Sequence, residues 1–472
     1  MLIKHFTSPI KASLKVPGSK SYTNRAFIIS ALAKGKSIIK DALISDDTKY
    51  MAEALKQIGV EIKQNKNNFE IKGTNGLKTI KGKDTLTKHL YLGNAGTATR
   101  FLTAAMCLSK DSDKIIDGSE RMHLRPISDL VEGLRQLGAK IDYIQQITNK
   151  SKNSQFTIHQ PDNKQILTIG LAGNSQFSNC PPLLIHQTGL KGGTCKIPGD
   201  KSSQYFSAIM ISAPYAENPV TIEVIGDLVS KPYLDITIEI MKNFGVNVIN
   251  KNYKKFIIPI EQKYYSREYK IEADASSASY FFGIAAATGS EITVENAKYD
   301  SLQGDIKFID VIEKMGCRRD TLPSFAKATA GKQCVSTGIQ ITGPKSLNPL
   351  GHINLCDLPD AAMTVAILCS LAKGKSILTG LSNLRIKETD RLKALATELQ
   401  KIGCEVKELD DGLEINGNPT KLHGATIETY DDHRIAMCFA VLGTKIPGII
   451  IKNPDCVNKT YPEFWKDLKR IY

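Results

Sequence analysis

The sequence predicts an α/β protein made of six copies of one unit, arranged as two groups of three. A helix rich in small apolar residues recurs six times, each time directly after a polar or charged cluster. An apolar strand and then an amphipathic helix follow it, and a glycine comes after this second helix in five copies. Because the midpoint of the six units falls near residue 271, we expect two large cores rather than a string of modules.

The first helix of each unit begins at a polar cluster that occupies the same place in the repeat. These helices are apolar nearly all round, which is typical of helices buried inside a domain. Since a helix N-terminus presents unpaired N–H groups and a positive dipole end, the clusters suit anions. They lie at 21–25, 94–100, 202–205, 274–279, 360–364 and 431–434.

The second helices carry apolar residues at steps of three, four and seven, as in Leu392, Leu395, Leu399 and Ile402, which predicts one buried face. The glycines that follow them are Gly59, Gly138, Gly245, Gly316 and Gly403. After four of these glycines the pattern alternates and predicts a strand. The fourth unit departs, because residues 317–320 carry no apolar alternation.

Two stretches have the composition of insertions. Residues 148–164 are rich in Asn, Gln, Ser and Lys, and residues 320–336 show no periodicity that places them in a core. We expect both to be exposed loops.

The net charge of +14 has three interpretations: a solvated lysine-rich surface, a nucleic-acid-binding face, or a cleft for phosphorylated substrates. The sequence contains no recognition helix or aromatic stacking platform, so we expect no nucleic-acid partner. Cationic residues inside the repeated motifs favour phosphorylated substrates.

The apolar and cysteine content indicates a cytoplasmic protein. No apolar run reaches the about 18 residues of a membrane span, and residues 1–20 lack the apolar core of a signal peptide. The ten cysteines form no C-x-x-C pair and resemble small buried hydrophobes in a reducing compartment. We therefore expect no membrane association and no metal.

Two Gly-containing motifs are candidate anion sites. Lys20, Ser21 and Arg25 place a hydroxyl and two cations at a helix start, although a solvated helix with Ser21 as its N-cap explains them equally well. In 93–100, Gly96 lets the backbone approach a ligand and Arg100 lies near the helix start. The alternative is an ordinary glycine-rich turn.

Three charged motifs are candidate catalytic sites. Lys387, Glu388 and Arg391 lie within one helical turn and are placed to converge on a small ligand, or else they form a solvated helix start. His433 follows a carboxylate and precedes an arginine at a helix start. Asp360 precedes an apolar helix, for which the alternative role is an ordinary N-cap. All six repeats place polar groups at the same position, the start of the first helix. This favours a functional role for these residues, because a repeat with a purely structural role needs only one N-cap residue there.

At these residues the chain resembles the EPSP synthase family (3-phosphoshikimate 1-carboxyvinyltransferases). The resemblance covers nearly the whole chain outside the two insertions, in family order, and rests on motifs at 18–25, 93–100, 230–237, 358–364, 383–392, 431–437 and 457–464. It implies the enolpyruvyl-transferase fold, with two globular domains of three βαβαββ units each and the active site in the cleft between them. The implied domains are residues 1–18 plus 272–472, and residues 19–271.

The resemblance implies transfer of the enolpyruvyl group of phosphoenolpyruvate to the 5-hydroxyl of shikimate 3-phosphate, with release of phosphate. This step of aromatic amino-acid (chorismate) biosynthesis needs an acid, a base and phosphate neutralisation, without a cofactor or a metal. We expect a monomer that binds these two small molecules.

The resemblance also implies roles for individual residues. Asp360 is the expected base at the 5-hydroxyl, and Glu388 the expected proton donor, with Lys20 as its possible partner. Donation by Glu388 near neutral pH requires a raised pKa. The implied shikimate 3-phosphate ligands are Lys20, Ser21, Arg25, Ser202, Ser203, Gln204, Ser230, Tyr233, Asp360, Asn383 and Lys387. The implied phosphoenolpyruvate ligands are Lys20, Asn94, Gly96, Arg125, Gln204, Glu388, Arg391, His433, Arg434 and Lys459, with His433 also in the catalytic set.

Two alternatives remain beside this assignment. The related enolpyruvyl transferase that acts on UDP-N-acetylglucosamine usually carries a cysteine in a loop of the second unit, and residues 121–127 here contain none. A non-catalytic phospholigand-binding relative does not need Asp360, Glu388 and His433. One departure is Phe101, where many family members have proline, and we expect it to affect sensitivity to glyphosate.

Overall fold

The computed structural model describes residues 1–77, 87–146, 155–159, 166–171, 179–321 and 338–472. The chain divides into two compact units. The first unit consists of Met1–Lys20, Leu43–Ser45 and Ile271–Tyr472, and the second of Ser21–Ala42 and Asp46–Lys270.

Helices and strands alternate along the chain, as expected for an α/β protein. The helices are α1 (Lys20–Leu32), α2 (Asp46–Gln57), α3 (Gly96–Met106), α4 (Ser128–Gln136), α5 (Ser203–Ser212), α6 (Pro232–Asn243), α7 (Ala275–Thr288), α8 (Phe308–Lys314), α9 (Ala362–Leu371), α10 (Arg391–Lys401), α11 (His433–Gly443) and α12 (Phe464–Arg470). The strands are β1 (Lys11–Leu14), β2 (Lys34–Lys40), β3 (Glu61–Asn65), β4 (Asn68–Thr74), β5 (Lys88–Tyr91), β6 (Lys114–Asp117), β7 (Ile141–Gln146), β8 (Gln155–His159), β9 (Ile166–Leu171), β10 (Leu183–Ile185), β11 (Gly193–Pro198), β12 (Val220–Ile225), β13 (Ile249–Lys251), β14 (Lys255–Ile258), β15 (Glu268–Lys270), β16 (Glu291–Val294), β17 (Arg318–Thr321), β18 (Ile339–Thr342), β19 (Gly351–Asn354), β20 (Gly374–Thr379), β21 (Glu405–Leu409), β22 (Gly412–Gly417), β23 (Thr426–Ile427) and β24 (Ile450–Ile451).

Four sheets share one topology, in which a parallel pair continues into two antiparallel strands. Their orders are β1-β16-β18-β17, β15-β2-β4-β3, β11-β12-β14-β13 and β19-β20-β22-β21. A further sheet has the order β5-β6-β10-β7-β9-β8, and β23 pairs with β24 in parallel. Since each parallel pair needs a crossover, the buried helices α5, α9 and α11 connect β11 to β12, β19 to β20 and β23 to β24.

The apolar first helices are buried, as predicted. Every residue of α7, α9 and α11 is buried in the core of the first unit. The glycines after the second helices adopt the left-handed conformation, with φ between +86° and +101° at Gly59, Gly138, Gly245, Gly316 and Gly403.

The fourth unit does form a strand, contrary to the expectation from residues 317–320. Strand β17 is at the edge of its sheet and pairs antiparallel with β18. An edge strand is held by backbone pairing with one neighbour, so it needs no regular apolar alternation. The Arg319 guanidinium lies 3.8 Å from the centroid of the Tyr299 ring, which provides a cation–π contact instead.

The two predicted loops are partly strand. Residues 155–159 form β8, which pairs with β9, so this part of 148–164 extends a sheet rather than forming a loop. Asp320 and Thr321 belong to β17. The remainder of both stretches lies outside the described residues. None of the helices in the described ranges is long and apolar enough to cross a bilayer.

Candidate active site

Arg391, the first residue of α10, organises the charged residues of the first unit. Its guanidinium donates to Asp432 (Nε to Oδ2, 2.8 Å), to Glu388 (Nη2 to Oε2, 2.9 Å) and to Asp360 (Nη1 to Oδ1, 3.2 Å). The side chain is 1% exposed. A cation this deeply buried needs partners with good geometry. Glu388 from its own motif and two aspartates from distant motifs supply them.

Asp360 binds two guanidinium groups instead of capping a helix. Arg434 Nη2 donates to its Oδ2 at 2.8 Å, opposite the contact with Arg391. The N-cap position of α9 is Ala361 rather than Asp360, so the capping alternative for Asp360 is wrong. Burial alone would raise the pKa of Asp360, but Arg434, Arg391, Lys387 and Lys20 together hold it well below its usual value. Asp360 is therefore a charged carboxylate surrounded by cations.

Glu388 lies between two cations of the same unit. Besides its bond with Arg391, its Oε1 lies 3.5 Å from the Lys459 ammonium. Glu388 and Lys387 precede α10 rather than lying in its first turn, because Asp390 is the N-cap and accepts from Lys393 N at 3.1 Å. Asn383 belongs to a 3-10 turn at Ser382–Ile386 and is buried. The convergence of Glu388 and Arg391 thus comes from a turn before the helix.

His433 is a neutral, fully buried imidazole. Burial first, and the charge of Arg434 next, lower its pKa well below the usual value. Neither ring nitrogen has a hydrogen-bond partner among the described residues. The preceding residue, Asp432, is the N-cap of α11 and accepts from Arg434 N at 2.9 Å. Because a buried polar group without a partner is costly, the His433 ring is available for a ligand.

Arg25 is the most deeply buried cation among the described residues of the second unit. It donates to the Thr237 hydroxyl (2.7 Å), the Ser21 carbonyl (2.9 Å) and the Tyr233 carbonyl (3.1 Å), and its guanidinium lies 5.2 Å from the Phe101 ring centroid. Burial lowers its pKa to about 10. Its hydrogen-bond partners among the described residues are all neutral, so its charge is left for an anion to balance.

A second cationic group of this unit surrounds the start of α3. Arg125 Nη1 donates to the carbonyl and the side-chain oxygen of Asn94, at 3.2 and 3.0 Å. Arg100 Nη1 donates to the Gly96 carbonyl at 3.0 Å. A Cβ at Gly96 would lie 2.6 Å from Arg100 Nη1 and 2.7 Å from Arg125 Nη2, so only glycine lets both guanidinium groups approach this turn.

The remaining predicted residues of the second unit lie at the starts of α1, α5 and α6. Ser202 is the N-cap of α5 and accepts from Gln204 N at 3.3 Å, and the Gln204 amide donates to the Thr97 hydroxyl of α3 at 3.3 Å. Ser203 is buried, and Ser230 has a left-handed φ of 56° just before α6, where Tyr233 N donates to its carbonyl. Ser21 lies inside α1, which begins at Lys20, so the N-cap alternative for Ser21 is wrong.

Sequence reasoning missed two carboxyl groups of the first unit. Asp432 was only a neighbour of His433 in the motif, yet it is fully buried and forms two bonds with Arg391. Asp305 belongs to no repeated polar cluster, yet its carboxyl accepts from Ala361 N, next to Asp360. Asp305 follows Gly304 in a segment that also contains Gln303 and Lys307, so its sequence context gave no signal.

Comparisons with known proteins agree on one family. The family model described as EPSP synthase (3-phosphoshikimate 1-carboxyvinyltransferase) matches residues 5–178 and 168–468. The chain is 40% identical over 465 residues to the 3-phosphoshikimate 1-carboxyvinyltransferase of Vibrio cholerae, covering 98% of this chain and 97% of that one. It is 41% identical over 459 residues to the protein of that name from Shewanella oneidensis, covering 97% and 96%. The structure of EPSP synthase from Acinetobacter baumannii shares its fold, with a TM-score of 0.75 and 24% identity over 100% of this chain and 97% of that one.

Proposed function

The chain belongs to the EPSP synthase family, an enzyme family that transfers the enolpyruvyl group of phosphoenolpyruvate to shikimate 3-phosphate, and we propose that the two cationic sets described above carry out this transfer. The first unit supplies the acid and the base. The second unit supplies a buried cation for the sugar phosphate.

The observation that carries the proposal is the convergence on Arg391. Residues 360, 388 and 432 come from three separate motifs, and one buried guanidinium binds all three carboxylates. Arg434 and Lys459 extend the positive charge beside them. Such a group of cations suits the phosphate and carboxylate of phosphoenolpyruvate, and Arg125, Asn94, Gly96 and Gln204 complete the proposed ligand set.

Arg25 supports the assignment of shikimate 3-phosphate to the second unit. Its hydroxyl and carbonyl partners orient the guanidinium without neutralising it. A phosphate dianion would supply the missing charge and gain charge-assisted bonds. We assign Lys20, Ser21, Ser202, Ser203, Gln204, Ser230, Tyr233, Asn383 and Lys387 to the same ligand.

The chemistry follows from the roles of two carboxyl groups. Asp360 accepts the proton of the 5-hydroxyl while the hydroxyl oxygen attacks C2 of phosphoenolpyruvate, and Glu388 protonates C3. In the tetrahedral intermediate C3 is a methyl group; when phosphate leaves, C3 returns a proton and the enol ether forms. Glu388 contacts Arg391 and Lys459, which places the proposed donor beside cations assigned to phosphoenolpyruvate. The neutral His433 ring is available to hydrogen-bond phosphoenolpyruvate without adding charge.

The relatives favour this reaction over the two alternatives. The relatives compared above bear the name 3-phosphoshikimate 1-carboxyvinyltransferase, and neither is named for an amino sugar. A purely binding relative would not need Asp360 and Glu388 beside the cations. We further propose that the protein acts in the cytoplasm as a monomer.

Phosphate release from the purified protein tests the proposal. We expect release that requires both shikimate 3-phosphate and phosphoenolpyruvate and that proceeds without added metal. Release with UDP-N-acetylglucosamine in place of shikimate 3-phosphate would assign the chain to the sister reaction. Absence of release with either acceptor, together with retained binding of phosphoenolpyruvate, would indicate a binding protein.

A further inference from the structure

Asp305 is a buried carboxyl group that the proposed mechanism does not use. It lies in a 3-10 turn at Gly304–Lys307, just before α8, and is 3% exposed. Its Oδ1 accepts from the backbone N–H of Ala361 at 3.3 Å, and its Oδ2 accepts a short bond from the Ser276 hydroxyl in the first turn of α7. Asp305 thus connects three segments of the first unit.

The contact with Ala361 places Asp305 at the peptide that carries Asp360. Ala361 is the N-cap of α9, and its own methyl side chain cannot cap the helix start. The Asp305 carboxyl provides an acceptor for an N–H group there, which otherwise has no partner within the helix. Because the Asp360–Ala361 peptide sets the direction of the Asp360 side chain, this bond helps to orient the carboxylate toward Arg391 and Arg434.

The two carboxyl groups have opposite electrostatic environments. Burial first, and the negative charge of Asp360 next, raise the pKa of Asp305 to about 7. Arg434 and the bond from Ser276 oppose this shift, and Asp274 adds to it. Asp360 instead binds two guanidinium groups directly. When Asp305 and Asp360 share one proton, the two guanidinium groups on Asp360 therefore favour the charge on Asp360 and the proton on Asp305.

We propose that Asp305 is a positioning residue for Asp360: it holds the Asp360–Ala361 peptide in place and, by carrying the proton of the pair, keeps the negative charge on Asp360. The proposal rests on the role of Asp360 as base. Asp305 belongs to neither of the proposed ligand sets. It acts through the direction and the charge of its neighbour, and a small misplacement of a reacting group is enough to slow a reaction by about 100-fold.

Two substitutions of Asp305 separate these contributions. Asp305→Asn keeps the volume of the side chain, its neutral state and an oxygen that accepts from Ala361 N. We therefore expect its kcat at pH 6 to lie within about 5-fold of the wild-type value, whereas misplacement of Asp360 would lower kcat by about 100-fold. Asp305→Ala removes the acceptor, and we expect kcat to fall by about 100-fold while the KM of each substrate changes little. Asp300→Ala, at an exposed aspartate of the same unit, is the control for removal of a carboxyl group.

The pH profile is a readout that a merely structural residue would not change. Above about pH 7 the wild-type pair carries two negative charges, which repel anionic substrates, so we expect kcat/KM to fall. Asp305→Asn cannot ionise and should lack this fall. Identical pH profiles for the two proteins would overturn the proposed location of the proton.

A double-mutant cycle with Asp360→Asn distinguishes this proposal from the assignment of the base. We expect Asp305→Ala to cost little in the Asp360→Asn background, because the group that it positions is already inactive. Equal losses of kcat in both backgrounds would reject the coupling while leaving Asp360 as base. Near-normal turnover of Asp360→Asn alone would reject the base itself. Loss of activity in Asp305→Asn as severe as in Asp360→Asn would show that Asp305 must be charged as well, and would overturn its proposed role as the protonated partner.

Discussion

Arg391 and Asp432 form a buried, two-pronged ion pair: Nε donates to Oδ2 at 2.8 Å and Nη2 donates to Oδ1 at 3.2 Å. Asp432 is fully buried, and Arg391 is nearly so. Asp432 also caps α11, so one carboxylate fixes both the arginine of α10 and the start of the helix that carries His433 and Arg434. The position of the cations in the first unit therefore depends on this pair.

Arg391→Lys should destabilise the protein and weaken phosphoenolpyruvate binding. Lysine keeps the charge but cannot form the two-pronged bond, and it leaves buried carboxylates with fewer partners. We expect a loss of up to about 3–5 kcal/mol in the free energy of unfolding, measured by urea denaturation, and a raised KM for phosphoenolpyruvate. Arg470→Lys, at an exposed arginine that pairs with Asp467, is the matched control. Equal stability of the two variants would contradict this dependence.

Asp360→Asn should lower kcat by about 100- to 10,000-fold, the contribution typical of a positioned general base. The amide cannot accept the proton of the 5-hydroxyl, although it keeps the shape of the carboxyl group. Steady-state phosphate release measures the effect, with Asp300→Asn as the control. A variant that turns over at a near-normal rate would remove Asp360 from the mechanism.

Glu388→Gln should slow the protonation of C3. Wild-type turnover in D2O should incorporate deuterium at C3 of the enolpyruvyl group. Because Glu388 is the proposed donor, the variant should lose this exchange together with kcat. Mass spectrometry of the product measures the exchange. Glu463→Gln, at an exposed pair with Lys466, should behave as wild type. Undiminished exchange in Glu388→Gln would transfer the donor role to another group, with Lys20 the first to test.

Asp305 should make the protein less stable as the pH rises. The pKa of Asp305 is raised from 3.8 to about 7 in the folded chain, so its contribution to stability is fully present below about pH 4 and is lost as the pH rises through about 7. We expect the melting temperature of the wild-type protein to fall between pH 5 and pH 8 by more than that of Asp305→Asn. A parallel decline in both proteins would show that other groups dominate this pH range.

Phe101 should influence both sugar-phosphate binding and glyphosate sensitivity. Its buried ring lies 5.2 Å from the guanidinium carbon of Arg25, in the middle of α3. Phe101→Pro removes the ring and a helical N–H, whereas Phe101→Leu removes only the cation–π contact. We expect both variants to raise the KM of shikimate 3-phosphate, and the proline variant alone to change glyphosate inhibition strongly. A glyphosate inhibition curve for Phe101→Pro that overlays the wild-type curve would refute the role of this position.

The sequence alone determined the α/β class, the helices and the motifs that carry the site residues. These features are local: an apolar stripe, a helix start or a glycine after a helix depends on residues within a few positions of each other. The buried helices α7, α9 and α11 and the left-handed glycines follow from such patterns. The family motifs are likewise contiguous segments, so their order identified the family without any knowledge of contacts.

Only the tertiary structure decided which of those residues meet and how they are charged. Asp360, Glu388 and Asp432 are spread over more than seventy positions, and packing of α9, α10 and α11 brings them to Arg391. The same packing places Asp305 against Ala361, and it pairs β17 with β18 where the sequence shows no alternation. Burial and neighbouring charges set the pKa of an ionisable group, and both arise from residues distant in sequence. The neutral state of His433 and the raised pKa of Asp305 are therefore properties of the fold rather than of any motif.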